Sequence, residues 1–290
     1  MAYKILITGS EGQLGSILNI ELSKIFQVIP TSKNKLGNNS LVTLDIANPN
    51  EVNRCINKYN PDIVINTAAL TDVDFCEDNK SIARAVNVEG LKSLIKYTSK
   101  KTKIIHISTD YVYNGEQCFY TEESKPDPIN YYGKTKLEAD NFLIGSNKIY
   151  AIIRPNTIYH GSNINFFTWV YKNISNNNKI MVVNDQISNP SYIPSLVNSI
   201  IDIIIMDGLG LYQHGSKDSL SRYEFALRIA KKYKFSPDLI IKSNSSNLNK
   251  NAQRPMKSIL NTDKIQNDFD TQMLYVNNCI DNIYEITQNG

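Results

Sequence analysis

The stretch KILITGSEGQLG, residues 4 to 15, sets the fold that the rest of the chain continues. Its first part holds three aliphatic residues between Lys4 and Thr8, the pattern of a short buried strand. Gly9, Gly12 and Gly15 follow, and a helical pattern comes after this glycine run. A strand, a glycine loop and a helix in this order are typical of a dinucleotide-binding βα unit, in which the glycines allow a tight turn and close backbone approach.

The alternation of strand and helix continues through the first half of the chain. The predicted elements are strands at 26–31, 41–45, 63–66 and 103–108, a helical run from the glycine loop to about residue 25, and helices at 48–59 and 81–100. Such alternation implies parallel strands joined by right-handed crossovers, with helices on both faces of the sheet. We therefore predict an α/β fold with a doubly wound parallel sheet of the Rossmann type.

Composition excludes several classes of protein. With 290 residues, 20% charged side chains and a net charge of +3, the chain has no basic excess for nucleic acid. No apolar run reaches the roughly 20 residues of a membrane helix, and the first residues have the pattern of a strand, not of a signal peptide. The 4 cysteines and 3 histidines show no disulfide or metal-ligand spacing. We expect a cytoplasmic protein that holds no metal and binds neither nucleic acid nor membrane.

A second stretch, residues 103 to 140, carries the candidate chemistry. A predicted strand ends at Thr109, and after a polar loop a helical pattern places Tyr132 and Lys136 four residues apart. This spacing puts both side chains on one face of a helix. A positive charge beside a phenol stabilises the phenolate and lowers its pKa from about 10. The pair is therefore predicted to donate a proton in a carbonyl reduction.

Tyr97 and Lys101 repeat this spacing and provide a comparison within the chain. With 17 tyrosines in the sequence, such a pair arises by chance roughly once or twice. Tyr97 lies at the polar end of a predicted helix, with no hydroxyl-bearing strand end before it. We therefore assign the chemistry to Tyr132 and Lys136.

The end of the second predicted strand bears on the choice of dinucleotide. NAD-binding folds usually place a carboxylate there to accept the ribose hydroxyls, whereas this chain has Ser32 and Lys33. Both side chains suit a 2′-phosphate, although exposure to solvent is the alternative for Lys33. Asp45, followed by Ile46, is placed to reach the adenine. We expect NADPH as the cofactor, with NADH as the alternative.

Together these motifs resemble the extended short-chain dehydrogenase/reductase family. Within it the pattern is most similar to the dTDP-4-dehydrorhamnose reductases, over nearly the whole chain. The matching segments are Gly9–Gly15, Asn66–Ala69, Thr71–Asp74, Ser108–Tyr113, Tyr132–Lys136, Arg154–Pro155, Asp185–Gln186, Pro190–Tyr192, Gly210–Tyr212 and Arg254–Pro255. The resemblance implies an NAD(P)H-dependent reductase of a nucleotide-linked 4-keto-6-deoxy sugar, acting in deoxysugar and polysaccharide biosynthesis, and it allows a homodimer.

The resemblance also implies roles for individual residues. Thr109 and Tyr132 bind the substrate carbonyl, and Lys136 holds the nicotinamide ribose. The implied cofactor-binding residues are Gly9, Glu11, Gly12, Gln13, Leu14, Gly15, Ser32, Lys33, Asp45, Ile46, Ala68, Ala69, Tyr132 and Lys136. The implied substrate-binding residues are Thr71, Val73, Tyr111, Asn156 and Arg254. Arg254 is either a cation for the substrate diphosphate or a surface arginine.

Two motifs of related enzymes are missing from this chain, and their absence narrows the class of reaction. The related 4,6-dehydratases carry an Asp-Glu pair after the threonine, where this chain has Asp110 and Tyr111, and the related epimerase-reductases carry a cysteine near Tyr111. These two absences favour a simple reductase over a dehydratase or an epimerase-reductase. The alternatives are a non-catalytic NADP-binding regulatory subunit and an epimerase.

Rhamnose-pathway members read Arg-Thr-Ser-Trp where this chain has Thr157 in place of the tryptophan, so the sugar is expected to differ.

After about Arg154 the strict alternation loosens. We predict a dinucleotide-binding domain over residues 1–154, which includes the Tyr132 helix, and a smaller, mainly substrate-binding region over 155–290 with segments that return to the core. Residues 166–175 suggest an amphipathic helix with Trp169 in the core, and 194–206 an apolar helix packed on the sheet.

Overall fold

A computed structural model describes residues 3–34, 41–247 and 251–289 of the chain. Its central sheet has seven strands in the order β11-β6-β5-β4-β1-β2-β3, all paired in parallel. These strands are β1 Lys4–Thr8, β2 Gln27–Ser32, β3 Val42–Thr43, β4 Ile63–Asn66, β5 Lys103–Ile107, β6 Ile149–Pro155 and β11 Gly210–His214. The order reverses between β1 and β4, where a doubly wound sheet opens a crevice for ligands.

Helices cover both faces of this sheet. On one face α1 Gln13–Leu22, α8 Ile193–Ile205 and α10 Asp263–Phe269 pack in a core that includes Ile5 and Ile7. On the other face α2 Pro49–Tyr59, α5 Gly90–Tyr97 and α6 Tyr131–Ile144 pack in a core that includes Leu6. Alternate residues of β1 thus enter opposite cores, as the two-residue period of a strand requires. The predicted doubly wound α/β fold is confirmed.

The predicted element boundaries differ from the structure at three places. Helix α1 ends at Leu22 and not near Ile25, and β3 is two residues long. The predicted helix over 81–100 is three consecutive segments, α4 Lys80–Arg84, a π-helical turn Ala85–Glu89 and α5. The π-helical turn carries the buried Asn87, whose side chain bonds both the N–H and the carbonyl of Leu70. The spacing of apolar residues in the sequence does not reveal that Asn87 is buried and hydrogen-bonded, so the π-helical turn was not predicted.

The second half of the chain adds a smaller group of short strands and helices. Its elements are β7 Ile158–Tyr159, α7 Phe166–Ser175, β8 Ile180–Val183, β9 Ile187–Ser188, β10 Ser191–Tyr192, β12 Leu220–Ser221, α9 Arg222–Tyr233, β13 Ile240–Ser243, β14 Lys257–Ser258 and α11 Val276–Asn289. Helices α7, α9 and α11 share a core around Tyr159 and Phe225. Strand β11 and helices α8 and α10 return to the central sheet.

The structure corrects one core prediction in this region. Trp169 is 42% exposed, and its ring packs against Phe166 with the centroids 5.9 Å apart. The amphipathic helix exists as predicted, but Trp169 lies on its open side, where it lines a cavity described below.

Helix α3 Val73–Asp78 completes the first half. None of the helices within the described ranges combines the length and the apolar character that a membrane span requires. The same ranges contain no group of three or more His, Cys, Asp and Glu side chains arranged to hold a metal ion.

Candidate active site

Thr109, Tyr132 and Lys136 meet at the carboxyl edge of the sheet. Thr109 follows β5, and Tyr132 and Lys136 lie one turn apart on α6. Asn130 caps this helix by accepting from the Gly133 N–H at 2.8 Å, which fixes the first turn and with it Tyr132. The three side chains line one cavity of about 420 Å³, and each is at most 8% exposed.

Tyr132 lies in a site that favours the protonated phenol. The pKa of Tyr132 is raised and not lowered as predicted from its spacing to Lys136, because burial outweighs the other influences, and a hydrogen bond with Thr109 acts in the opposite direction. The ring of Tyr111 meets that of Tyr132 edge to face, with the centroids 6.0 Å apart. A phenol that keeps its proton and also contacts a hydroxyl is suited to protonate an alkoxide oxygen.

Lys136 is almost completely enclosed, with 1% of its surface exposed. Its Nζ donates to the carbonyl oxygen of Ile107 at 2.8 Å and lies 3.2 Å from Nε2 of His106. Burial lowers the pKa of Lys136 to about 8, with the charge of Asp140 opposing the shift. The side chain thus titrates far closer to neutral pH than an exposed lysine does.

The comparison pair, Tyr97 and Lys101, does not form such a site. Helix α5 ends at Tyr97, and Lys101 lies in the turn before β5. Neither residue lines the 420 Å³ cavity. Four-residue spacing therefore places two side chains on one helical face only where the helix continues through both.

The glycine loop borders the same cavity. Gly9 has a φ of +68°, and a Cβ on Gly15 would collide with the carbonyl of Gly9, so this turn requires glycine. No side chain of the described residues caps the N-terminus of α1 at Gly12. Backbone amides at an uncapped helix start suit a pyrophosphate, and the loop residues Gly12, Gln13, Leu14 and Gly15 all line the cavity.

The structure corrects the picture at the end of β2. Sequence inspection found no carboxylate there, but two carboxylates lie nearby in space. Ser32 Oγ donates to the carboxylate of Glu11, and Lys33 forms a 2.8 Å ion pair with Asp45. Lys33 is also 66% exposed. Ser32 and Lys33 therefore already have partners, Glu11 and Asp45, and do not present free polar groups to a 2′-phosphate.

Other predicted cofactor residues have packing roles. Ile46 is buried, and its side chain lies where a Cβ on Gly90 would collide with it. The backbone of Ala68 likewise lies where a Cβ on Gly9 would collide with it. Ala69, in contrast, lines the 420 Å³ cavity.

A larger cavity of about 840 Å³ adjoins the first, with Tyr111, Phe166 and Arg222 lining both. Trp169 and Arg254 also line the larger cavity. Arg254 pairs with Asp74, to which it donates over 2.8 and 2.6 Å. Of the other predicted substrate residues, Thr71, Val73 and Asn156 line the smaller cavity. A separate cavity, also of about 840 Å³, lies between α8 and α11 and is lined by none of these residues.

Arg222 is a site residue that sequence inspection missed. It is the first residue of α9, and its Nη2 donates to Thr157 Oγ1 at 3.3 Å while its guanidinium lies 5.1 Å from the Phe166 ring centroid. Within the described part of the chain no carboxylate forms an ion pair with it. The sequence signalled only the capping box of Ser221 and Glu224, which the structure contains.

Comparisons with known proteins agree with this geometry. The model of the RmlD substrate binding domain family matches residues 3–288. Among curated relatives, dTDP-4-dehydrorhamnose reductase of Aggregatibacter actinomycetemcomitans is 30% identical over 93% of this chain and 94% of its own length. Spore coat polysaccharide biosynthesis protein SpsK of Bacillus subtilis is 32% identical over 78% of each chain.

Solved structures give the same result. A dTDP-4-dehydrorhamnose reductase of Bacillus anthracis in complex with NADP has a TM-score of 0.91 and 28% identity, over 99% of this chain and 100% of that one. An orthologue of this reductase from Clostridium acetobutylicum has a TM-score of 0.89 and 30% identity, over 98% and 99% of the two chains. The predicted resemblance is confirmed: the chain belongs to the RmlD substrate-binding domain family, within the extended short-chain dehydrogenases/reductases.

Proposed function

We propose that this protein is an NAD(P)H-dependent reductase of a nucleotide-linked 4-keto-6-deoxy sugar. The observation that carries the proposal is the shared cavity of Thr109, Tyr132 and Lys136, which is continuous with the glycine loop on one side and adjoins the 840 Å³ cavity on the other. Relatives over almost the full chain are named dTDP-4-dehydrorhamnose reductases. A nucleotide sugar has the size and polarity to fill the larger cavity.

The chain's own residues supply the acid chemistry. When bound, NAD(P)H supplies the hydride that reduces the sugar carbonyl. Thr109 donates a hydrogen bond to the carbonyl oxygen, and Tyr132 gives its proton to that oxygen as the alkoxide forms. Lys136 stabilises the resulting phenolate by its charge. Burial of all three groups keeps water out and strengthens these interactions.

A relative supports NADPH as the cofactor, whereas the contacts at the end of β2 allow NADH as well. The relative crystallised from Bacillus anthracis holds NADP, whereas Glu11 beside Ser32 resembles the carboxylate that accepts ribose hydroxyls in NAD-binding folds. Both cofactors are therefore expected to support turnover, with a smaller preference for NADPH than the sequence alone suggested.

Arg222 is the proposed cation for the negatively charged part of the substrate. It stands where the two cavities meet, so a nucleotide sugar whose carbonyl reaches Tyr132 passes beside it. Arg254 is less suited to this role because Asp74 already neutralises its charge. Cation-to-phosphate hydrogen bonds are among the strong ones in proteins.

The test is oxidation of NADPH by the purified chain with dTDP-linked 4-keto-6-deoxyhexoses. Stoichiometric oxidation with formation of the 4-hydroxy sugar supports the proposal. Isomerisation of the sugar without net NADPH oxidation indicates an epimerase, and tight NADPH binding without turnover of any such sugar indicates a regulatory subunit.

A further inference from the structure

Three polar side chains form a row across the central sheet, directly behind Lys136. Thr8 on β1, Asn66 on β4 and His106 on β5 stand at paired positions of adjacent parallel strands, so they lie side by side on one face. Thr8 and His106 are 0% exposed, and Asn66 is 2% exposed. The row ends at Lys136, because His106 Nε2 lies 3.2 Å from Lys136 Nζ.

Within this row, each side chain donates a hydrogen bond to the next, from Thr8 to Asn66 and from Asn66 to His106. Thr8 Oγ1 accepts from the Ala68 N–H at 3.2 Å and donates to Asn66 Oδ1 at 2.7 Å. Asn66 therefore turns its Nδ2 toward His106 Nδ1, 3.1 Å away. Reversing the Asn66 amide would leave the buried hydroxyl of Thr8 without an acceptor, which is costly. His106 Nδ1 thus accepts, and the ring proton of the neutral imidazole lies on Nε2.

Building on the reductase function above, we propose that His106 is a positioning residue that controls the protonation of Lys136. Its Nε2–H faces the Lys136 nitrogen, which can accept this hydrogen bond only as the neutral amine. His106 therefore favours the amine over the ammonium. Lys136 lies one turn from Tyr132 on α6 and lines the same cavity, so its protonation state decides whether a positive charge is available to stabilise the Tyr132 phenolate.

The charge of Asp140 acts on Lys136 in the opposite direction to the contact made by His106. Asp140 Oδ2 accepts from Ser108 at 2.9 Å and from Arg154 at 3.1 and 3.0 Å, and its Oδ1 stays 3.8 Å from His106 Nε2. Asp140 therefore favours the ammonium by charge alone, against the contact made by His106. Among the described residues, His106 of β5 and Asp140 of the same helix act on Lys136 directly. Tyr132 lies one turn away on α6, Arg154 of β6 pairs with Asp140, and Asp110 acts on Tyr132.

His106 itself is expected to stay neutral. Its full burial and the charge of the neighbouring Lys136 both hold the pKa of His106 well below the ordinary value. The chain has 3 histidines, so NMR of the full-length protein with ¹⁵N-labelled histidine resolves each ring, and loss of one signal set in His106→Gln assigns it. We expect the Nε2–H tautomer of His106, without titration between about pH 5 and 8.

Kinetics of three variants test the effect on Lys136. In His106→Leu the donor is gone, so the basic limb of the pH profile of kcat/KM for NADPH oxidation should move up by about one pH unit, the size of one hydrogen bond. His106→Gln should restore the profile, because its amide oxygen can accept from Asn66 and its nitrogen can donate to Lys136. His160→Gln is the matched control, since His160 lines neither site cavity, and its profile should not move.

The outcomes separate this inference from the proposed function. The Nε2–H tautomer together with the upward shift in His106→Leu supports it. An Nδ1–H tautomer, an imidazolium that titrates in this range, or an unmoved basic limb in His106→Leu overturns it. Failure of the unmodified chain to reduce any 4-keto sugar overturns the proposed function alone, and the tautomer measurement, which needs no substrate, then decides the inference.

Discussion

The guanidinium of Arg254 donates to both carboxylate oxygens of Asp74, over 2.8 and 2.6 Å, at the wall of the larger cavity. This two-point contact holds the arginine in a fixed orientation and neutralises its charge. Arg222, 32 positions earlier in the sequence, lines both cavities without an ion pair to any described residue. The cationic part of the site therefore lies at Arg222.

We expect Arg222→Gln to raise KM for the nucleotide sugar by roughly 10- to 100-fold, the worth of one charge-assisted hydrogen bond. KM for NADPH should change little. Initial-rate kinetics with each substrate varied in turn measure both effects. Lys217→Gln is the control, because Lys217 lies over the ring of Tyr275 and lines neither site cavity. An unchanged KM for the sugar in Arg222→Gln would return the role to Arg254.

Removal of the Tyr132 hydroxyl should nearly abolish the reaction. We expect Tyr132→Phe to reduce kcat by roughly 10²–10⁴-fold, the usual worth of general acid catalysis, with little change in the Kd for NADPH. Tyr97→Phe, in which the comparison tyrosine is altered, should be kinetically silent. Single-turnover measurement of NADPH oxidation gives the rate, and near-normal turnover in Tyr132→Phe would exclude it as the proton donor.

Activity and stability should respond to Lys136 in opposite directions as the pH rises. Because burial lowers the pKa of Lys136 to about 8, the ammonium is lost above that pH and kcat/KM should fall. Between about 8 and the ordinary lysine pKa of 10.5, the unfolded chain binds more protons than the folded one, so this group's contribution to stability rises with pH. Activity profiles measured beside thermal unfolding distinguish deprotonation from denaturation. A decline that tracks unfolding would contradict this assignment.

The carboxylate of Glu11 should limit the preference for NADPH. From Ser32 and Lys33 alone a roughly tenfold preference is expected, and the contact of Ser32 with Glu11 should make it smaller. Glu11→Gln is expected to increase the preference for NADPH, and Ser32→Asp to shift it toward NADH. The ratio of kcat/KM for the two cofactors is the measurement. A marked preference for NADH in the unmodified chain would refute this interpretation.

Thr157 lines the 420 Å³ cavity, and its small side chain should influence which sugar the protein reduces. The resemblance to rhamnose-pathway reductases implies a tryptophan where this chain has Thr157, and here the guanidinium of Arg222 contacts the Thr157 hydroxyl. We expect weak activity on dTDP-4-dehydrorhamnose and better activity on another 4-keto sugar nucleotide. Comparing kcat/KM across a set of such sugars tests this, and efficient, selective turnover of dTDP-4-dehydrorhamnose would count against it.

The sequence by itself determined the fold class and the identity of the chemical groups. Buried strands of a parallel sheet are largely apolar runs, and strands were predicted from this pattern over residues 4–8, 63–66 and 103–108. The glycine run from Gly9 to Gly15 and the four-residue spacing of Tyr132 and Lys136 are local patterns that can be recognised along the chain. Local rules of this kind act without knowledge of distant segments.

The tertiary structure alone decided which groups are neutralised, which face the cavities and which lie behind them. The contacts Arg254–Asp74, Ser32–Glu11 and His106–Lys136 join residues 180, 21 and 30 positions apart. Such pairs leave no periodic signal, because their distance depends on how strands and helices from different parts of the chain pack. Charge and hydrogen-bond state depend on these contacts and on burial, so the availability of Arg222 and the low pKa of Lys136 emerged only when the sheet and its helices were assembled.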